Sequence, residues 1–212
     1  MAVLHVNPTR MELTLMKRRL VTARRGHKLL KDKRDELVRR FIILVRENFA
    51  IRTQVEKELA GVLMDFALAR AVMEPGSLQQ ALLYPARQAG IRIRQRSILS
   101  VRVPEYTVDE ENLEKAGLPY GLADTSAQLD NAITTIANAL PGLVKLAEVE
   151  KTCTLLADEI QKTRRRVNAL EYVMIPQFEE TIRYISMKLE ENERGALTRL
   201  MKVKSMIAER PT

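Results

Sequence analysis

Apolar residues near the start of the chain recur at a fixed beat. Leu13, Met16, Leu20, Ala23, His27, Leu30, Arg34, Leu37, Phe41, Leu44, Asn48, Ile51 and Val55 are separated by three and four residues in strict alternation. That is the seam of a heptad repeat. After one four-residue stutter it continues through Leu59, Val62, Phe66, Ala69 and Met73. Thr9 and Glu12 have the spacing of a capping box, and Pro8 ends the segment before it. The pattern predicts one helix over residues 9–73, about 100 Å long. Gly26 and Gly61 lie inside it and each costs about 1 kcal/mol of helix stability relative to alanine. A helix of this length needs a partner of similar length.

The C-terminal part supplies one. Thr125 and Gln128 form a second capping-box pattern, followed by a stripe of Leu129, Ile133, Ile136 and Leu140. Pro141-Gly142 should bend or interrupt it. The stripe resumes with Leu156, Ile160, Thr163, Val167, Leu170 and Met174, and after Pro176 with Phe178, Ile182, Ile185 and Leu189. It then runs through Ala196, Leu200, Val203 and Ile207. The fold expected is mainly α: an antiparallel two-helix coiled coil of the N- and C-terminal helices. Residues whose numbers total roughly 220 should meet, which sets Arg164–Arg166 near Glu56 and Glu58. A parallel homodimer is the weaker alternative, because two stripes of equal length flank a proline-bounded turn-back.

That turn-back divides the chain into residues 1–73, 74–124 and 125–212, with kinks near 141 and 176. Ser77 and Gln80 suit the cap of a short helix ending at Tyr84-Pro85. The period then changes to two: Ile91, Ile93, Val101 and Val103 alternate with Arg92, Arg94 and Arg102. This predicts a β-hairpin over 91–103, with Gln95–Ser100 as its connection and Pro104 as its end. The acids at 109, 110, 111 and 114 fall in a Gly/Pro-punctuated connector and read as a solvated run.

Composition narrows the function. Aromatics make up only 4% of residues, too few for an ordinary globular core and consistent with extended helix. The net charge of +8 is local: twelve Lys or Arg face four acids between Arg10 and Arg40. Such a segment is either a solvated coiled-coil face or a surface for an acidic partner. One cysteine, Cys153, excludes an intrachain disulfide, and the chain reads as intracellular. The unbroken apolar runs Phe41–Val45 and Leu59–Met64 fall far short of the ~20 residues of a membrane span. No Gly-rich phosphate loop followed by Lys-Ser/Thr is present, and His5 and His27 join no Cys/His cluster. These features predict no catalytic residues, no cofactor and no metal.

Two segments carry a family pattern. The first is Pro8-Thr9-Arg10-Met11-Glu12-Leu13 with Lys17-Arg18-Arg19-Leu20 and the run Gly26–Leu37. The second is Thr163-Arg164-Arg165-Arg166-Val167-Asn168-Ala169-Leu170-Glu171 with Pro176, Glu179-Glu180-Thr181-Ile182 and Ile185. Together they resemble the D subunit of the V-type/A-type rotary ATPases over essentially the whole chain. The resemblance implies a central rotor shaft without activity of its own, cytoplasmic and peripheral to the membrane, and a short hairpin near its lower end. It implies three partners: the catalytic ring of alternating A and B subunits, three of each; the F subunit, in a one-to-one heterodimer; and the socket subunit (C, called d in eukaryotic complexes) that links the shaft to the membrane ring. Direct binding of nucleotide or nucleic acid is not expected. On this reading Lys17, Arg18, Arg24, Arg25 and Ile207 face the catalytic ring. Leu44, Ile51, Val55, Val167 and Leu170 lie in the region that contacts the F subunit. The competing class is a basic scaffold or nucleic-acid-binding coiled coil, which the N-terminal charge alone would fit. His27, Arg34, Asn48 and Thr163 interrupt the apolar seam, either to set its register or to make the shaft asymmetric.

Overall fold

The computed structural model describes residues 6–83, 90–109, 120–121 and 125–208. Helix α1 (Arg10–Val72) and α2 (Pro75–Leu83) are followed by strands β1 (Ile91–Ile98) and β2 (Val101–Val108). Helix α3 (Ala127–Ala169), a π-turn (Leu170–Met174) and α4 (Ile175–Ala208) complete the chain. It forms two compact units, residues 1–36 with 161–212, and residues 37–160. In each, the N-terminal and C-terminal helices run antiparallel.

Thr9 caps α1 as expected. Its Oγ1 accepts the Glu12 N–H at 3.2 Å, and Glu12 lies in the first turn, where a negative charge suits the helix dipole. Every seam position from Leu13 to Met73 is buried or half-buried. The register differs from the sequence expectation. In the first unit Arg10 meets Glu193, Arg24 meets Glu179 and His27 meets Glu171. In the second, Arg52 lies 3.9 Å from Glu150, and Gly142 packs so close to Val55 that an added Cβ would meet Val55 Cγ2 at 3.3 Å. The numbers of facing residues therefore total about 200, not 220. Arg164–Arg166 belong to the first unit, whereas Glu56 and Glu58 belong to the second.

This register leaves the last turns of α4 without a partner among the described residues. Glu193 already faces Arg10, the first residue of α1. Beyond it, Leu197, Leu200, Met201, Val203, Met206 and Ile207 are each more than half exposed. Equal stripe lengths misled the sequence reading here: the stripe past Glu193 is apolar but is not seam. The core of the first unit is instead Met16, Thr163, Val167, Thr181 and Ile185.

The prolines act less abruptly than their sequence suggests. Helix α3 continues through Pro141, which is exposed, so water can reach a carbonyl freed by the missing N–H. Near Pro176 the irregularity falls one turn earlier. The Ile175 N–H donates to Leu170 O, five residues back, closing a π-turn. The wider turn gives room for the proline ring, which would press on the carbonyl four residues before it in a regular helix.

In the second unit, Ala69, Met73, Leu78, Ala81 and Leu129 form a core flanked by Phe66, Tyr120 and Ile133. Helix α2 starts at Pro75 rather than at a Ser77 cap, since proline suits the first helical position. The expected end at Tyr84-Pro85 lies outside the described residues. The capping box at Thr125 is not formed. The Thr125 hydroxyl donates back to Gly121 O, Ser126 Oγ has no partner among the described residues, and α3 begins at Ala127.

Tyr120 Oη donates to Asp130 Oδ1 at 2.6 Å, tying the residue before Gly121 to the first turn of α3. Burial first, and then this bond and the Asp130 charge, hold the phenol well above its ordinary value. A proton held more tightly in the folded chain contributes stability that is complete below the unfolded value of about 10 and is lost as pH rises beyond it. Denaturation of the chain between about pH 8 and pH 11 should therefore show a steeper alkaline loss than in Tyr120→Phe. Equal slopes would refute this coupling.

The hairpin is longer and tighter than predicted. Its two-residue turn, Leu99-Ser100, has φ of 49° and 74°, the left-handed pair that a type I′ turn requires. Ile91 pairs with Val108 and Ile98 with Val101. The strand thus continues past Pro104 to Val108. In this register the hydrogen-bonded pairs are those in phase with Ile98–Val101, so Pro104 opposite Gln95 falls at a non-bonded position. Its missing N–H would have pointed to the free edge. The same register places Ile91 and Ile93 on one face with Tyr106 and Val108, and Val101 and Val103 on the other with Arg96 and Ile98.

Candidate interaction surfaces

What the helices leave unpaired is surface, and it is basic at the N-terminal end. Lys17, Arg18 and Arg25 are exposed without an ion-pair partner among the described residues. Arg24 differs: its Nη2 pairs with Glu179 Oε1 at 2.6 Å, so part of its charge is already answered. The pair is solvated on both sides and adds little stability. The Arg164–Arg166 side chains are also exposed. Beside these lies a groove lined by Arg18, Arg19, Thr22, Ala23 and Gly26 of α1 and by Leu170, Met174 and Phe178 across from them. His27 Nε2 stands 3.3 Å from Glu171 Oε2 at its edge.

The five residues expected to contact the F subunit do not form one surface. Val167 and Leu170 lie in the first unit, and Leu44, Ile51 and Val55 in the second. Val55 is 3% exposed and Val167 1%. Both are used by the intrachain seam and face no partner while the helices stay together. On the flank of that seam in the second unit, Ile42, Val45 and Phe49 are exposed at helical spacing. Val45 and Asn48 line a groove with Glu150, Cys153 and Thr154. Burial, followed by the charges of Glu47 and Glu150, pushes the Cys153 thiol up, so it stays protonated and unreactive at neutral pH.

The hairpin is held by a carboxylate from α3. Glu148 Oε2 accepts the outward-pointing Tyr106 N–H at 3.1 Å, and its Oε1 meets Lys145 Nζ at 2.9 Å. Val103 is buried, whereas Ile91 and Ile93 remain exposed. Arg92 pairs with Asp109. Glu110, Glu111 and Glu114 of the acidic connector lie outside the described residues. A charge-assisted bond to a backbone N–H contributes about 1.5–3 kcal/mol. Glu148→Ala should therefore speed hydrogen exchange at the Tyr106 amide at least tenfold, while Glu148→Gln, which keeps an acceptor, should not. Unchanged protection in the alanine variant would remove Glu148 as the anchor.

Among the described residues, no group of three or more His, Cys, Asp or Glu side chains could hold a metal ion. The family model for the D subunit of ATP synthase matches residues 12–205. The chain belongs to the ATP synthase D-subunit family. Among its relatives, the V-type ATP synthase D subunit of Thermoanaerobacter sp. (strain X514) is 55% identical over 207 residues, 98% of this chain and 99% of the relative. The V-type ATP synthase D subunit of Clostridium botulinum (strain Langeland / NCTC 10281 / Type F) is 56% identical over 209 residues, 98% and 97% of the two chains.

For a chain of the D-subunit family, one stretch requires comment. Ala127–Ile207 contains a window long and apolar enough by composition to cross a membrane. Leu129, Ala132 and Ala139 of this stretch are buried within the second unit, and it also carries Arg164–Arg166. Val144, Val149 and Leu156 of α3 are buried there too, whereas Ile136 is exposed. Sequence reasoning missed Glu148 and the Tyr120–Asp130 clasp, since neither pairing follows from any local period. It also missed the exposed flank of Met11, Leu15 and Leu29, although its helical spacing is present in the sequence.

Proposed function

We propose that this chain is the rotating central-stalk component of a V-type ATPase/ATP synthase. It couples ATP synthesis or hydrolysis in the A/B ring to rotation of the membrane ring and to H+ or Na+ transport. It does so without a catalytic site of its own, as a cytoplasmic component peripheral to the membrane. The observation that carries this reading is the end of α4, where six large apolar side chains stand exposed beyond the start of α1 with no partner among the described residues. An exposed apolar surface of this size suits burial against a partner, which on this reading is the catalytic ring. Lys17, Arg18, Arg25 and the partly neutralised Arg24 then meet acidic groups of the ring, with Ile207 inside it. The paired helices supply the stiffness that torque transmission requires.

The F subunit takes the flank of Ile42, Val45 and Phe49 in this reading, in place of the seam residues Leu44, Ile51, Val55, Val167 and Leu170. The socket subunit takes the exposed Leu82 and Leu83 of α2. Co-expression with the A, B and F subunits tests the whole. The expected result is a one-to-one complex with F that enters the ring. Loss of the ring, with F still bound, is expected when Lys17, Arg18, Arg24 and Arg25 are all reversed to glutamate. A chain that binds neither F nor ring, or that binds DNA with strong salt dependence, would overturn the assignment.

A further inference from the structure

The two edges of the hairpin are not alike. Ile98 and Val101 close the turn as a bonded pair, and the Asp109 N–H donates to Gly90 O at 2.9 Å. The even-numbered residues of β1 therefore bond β2. The odd-numbered ones, Ile91, Ile93, Gln95 and Ser97, turn their N–H and C=O groups outward. On β2 the outward set is Arg102, Pro104, Tyr106 and Val108. That edge is closed to a further strand: Pro104 has no N–H to offer, and the Tyr106 N–H already donates to Glu148.

The β1 edge carries neither device. It contains no proline and pairs in unbroken register over eight residues, without a bulge. Every residue from Ile91 to Ser97 is exposed, whereas in β2 only Arg102 and Thr107 are. Strand β2 is thus the inner strand and β1 the outer one. The outward N–H groups of Ile91, Ile93, Gln95 and Ser97 have no partner among the described residues.

Side chains narrow the kind of strand that fits. Arg94 and Arg96 share one face and have no ion-pair partner among the described residues, while Arg92 beside them is held by Asp109. Ile91 and Ile93, 50% and 68% exposed, occupy the other face. A neighbouring strand sets alternate residues beside these two rows. Carboxylates suit the arginines, and apolar side chains suit the isoleucines. A second copy of β1 would instead set arginine beside arginine, which is unfavourable. A two-stranded hairpin is only marginally stable in water, so a third strand adds to it both ladder bonds and apolar burial.

We propose that the outer edge of β1 receives, as a third strand, an extended segment of another polypeptide in which acidic and apolar residues alternate. The probe is a peptide of alternating Glu and Val, as long as β1. A Lys/Val peptide and a Glu/Val peptide with N-methylated amides are the controls. In the full chain, hydrogen exchange at Ile91, Ile93, Gln95 and Ser97 should slow at least threefold with the Glu/Val peptide at about 1 mM, and with neither control. Gln95→Pro removes an outward donor at a position where, as at Pro104, no bond to the other strand is lost. It should weaken the peptide at least tenfold while Arg94, Arg96 and Val103 keep their wild-type protection. Arg94→Gln/Arg96→Gln should weaken it at least threefold. If Gln95→Pro loses the inner protection, the N-methylated peptide alone decides whether the backbone pairs.

No slowing with the Glu/Val peptide, or equal slowing with either control, overturns the proposal. So does protection of the outward amides in the free chain. If that protection rises with chain concentration, a second copy takes the edge; if it does not, the chain covers its own edge. None of these results bears on binding of the F subunit or entry into the ring, so the stalk reading stands or falls separately.

Discussion

Ending the chain after Glu193 should leave the paired helices folded and weaken engagement with the catalytic ring at least a hundredfold. Residues 194–208 extend past Arg10, and their apolar side chains Leu197, Leu200, Met201, Val203, Met206 and Ile207 lie exposed. Removing them deletes no intrachain core, so the melting midpoint should stay within about 2 °C of the full chain. The ring, by contrast, would lose the burial of six large side chains, each contributing about 1.5–3 kcal/mol when fully covered. A hundredfold loss is about 2.7 kcal/mol, a fraction of that sum. The measurement is ring affinity together with ATP-driven ion transport in the reconstituted complex. Coupled transport at the full-length level would show that the overhang is not the engaged part. A collapse of the helical signal would show that it belongs to the fold.

This prediction depends on register, which the sequence could not supply. The seam of α1 was legible residue by residue, because a three-four spacing has one buried face and every seam position from Leu13 to Met73 lies on it. Which residues of the second helix face it depends on where α3 begins. That is set at Ser126 and Ala127, where Tyr120 bonds Asp130 and Leu129 enters the core of the second unit. These contacts join distant parts of the chain, and no local pattern announces them. The hairpin was legible as alternation but not in extent. Pro104 reads as a strand end until the parity of a two-residue turn shows that its nitrogen faces the open edge. Among the proposed contact residues, exposed charges such as Lys17 and Arg18 could be anticipated from the charge excess. The apolar choices could not, because a heptad identifies what is buried within the chain, and a partner binds what is left over.

The seam makes a second prediction with two signs. Leu156 is fully buried in the second unit, and Leu156→Ala should destabilise the chain by about 3 kcal/mol, the sum of lost transfer energy and an unfilled cavity. Thr163 is equally buried in the first unit, but its Oγ1 has no hydrogen-bond partner among the described residues. Another threonine of that core, Thr181, avoids that cost by donating to Gln177 O at 2.7 Å. Thr163→Val replaces an unanswered hydroxyl with a methyl of nearly the same volume, and should stabilise the chain by about 1 kcal/mol. Thr181→Val removes both the donor and a bond already made to its own helix, and should change stability by less than about 0.5 kcal/mol. Chemical denaturation separates the three, with the midpoint moving down for Leu156→Ala, up for Thr163→Val and little for Thr181→Val, at unchanged slope. A destabilised Thr163→Val chain would mean that the hydroxyl does have a partner in solution. A shift below about 1 kcal/mol in Leu156→Ala would mean that the seam closes over the lost side chain. A shaft that relaxes so readily around its own core would be too soft to carry torque, so the alanine variant also bears on whether the paired helices are stiff enough for the function proposed.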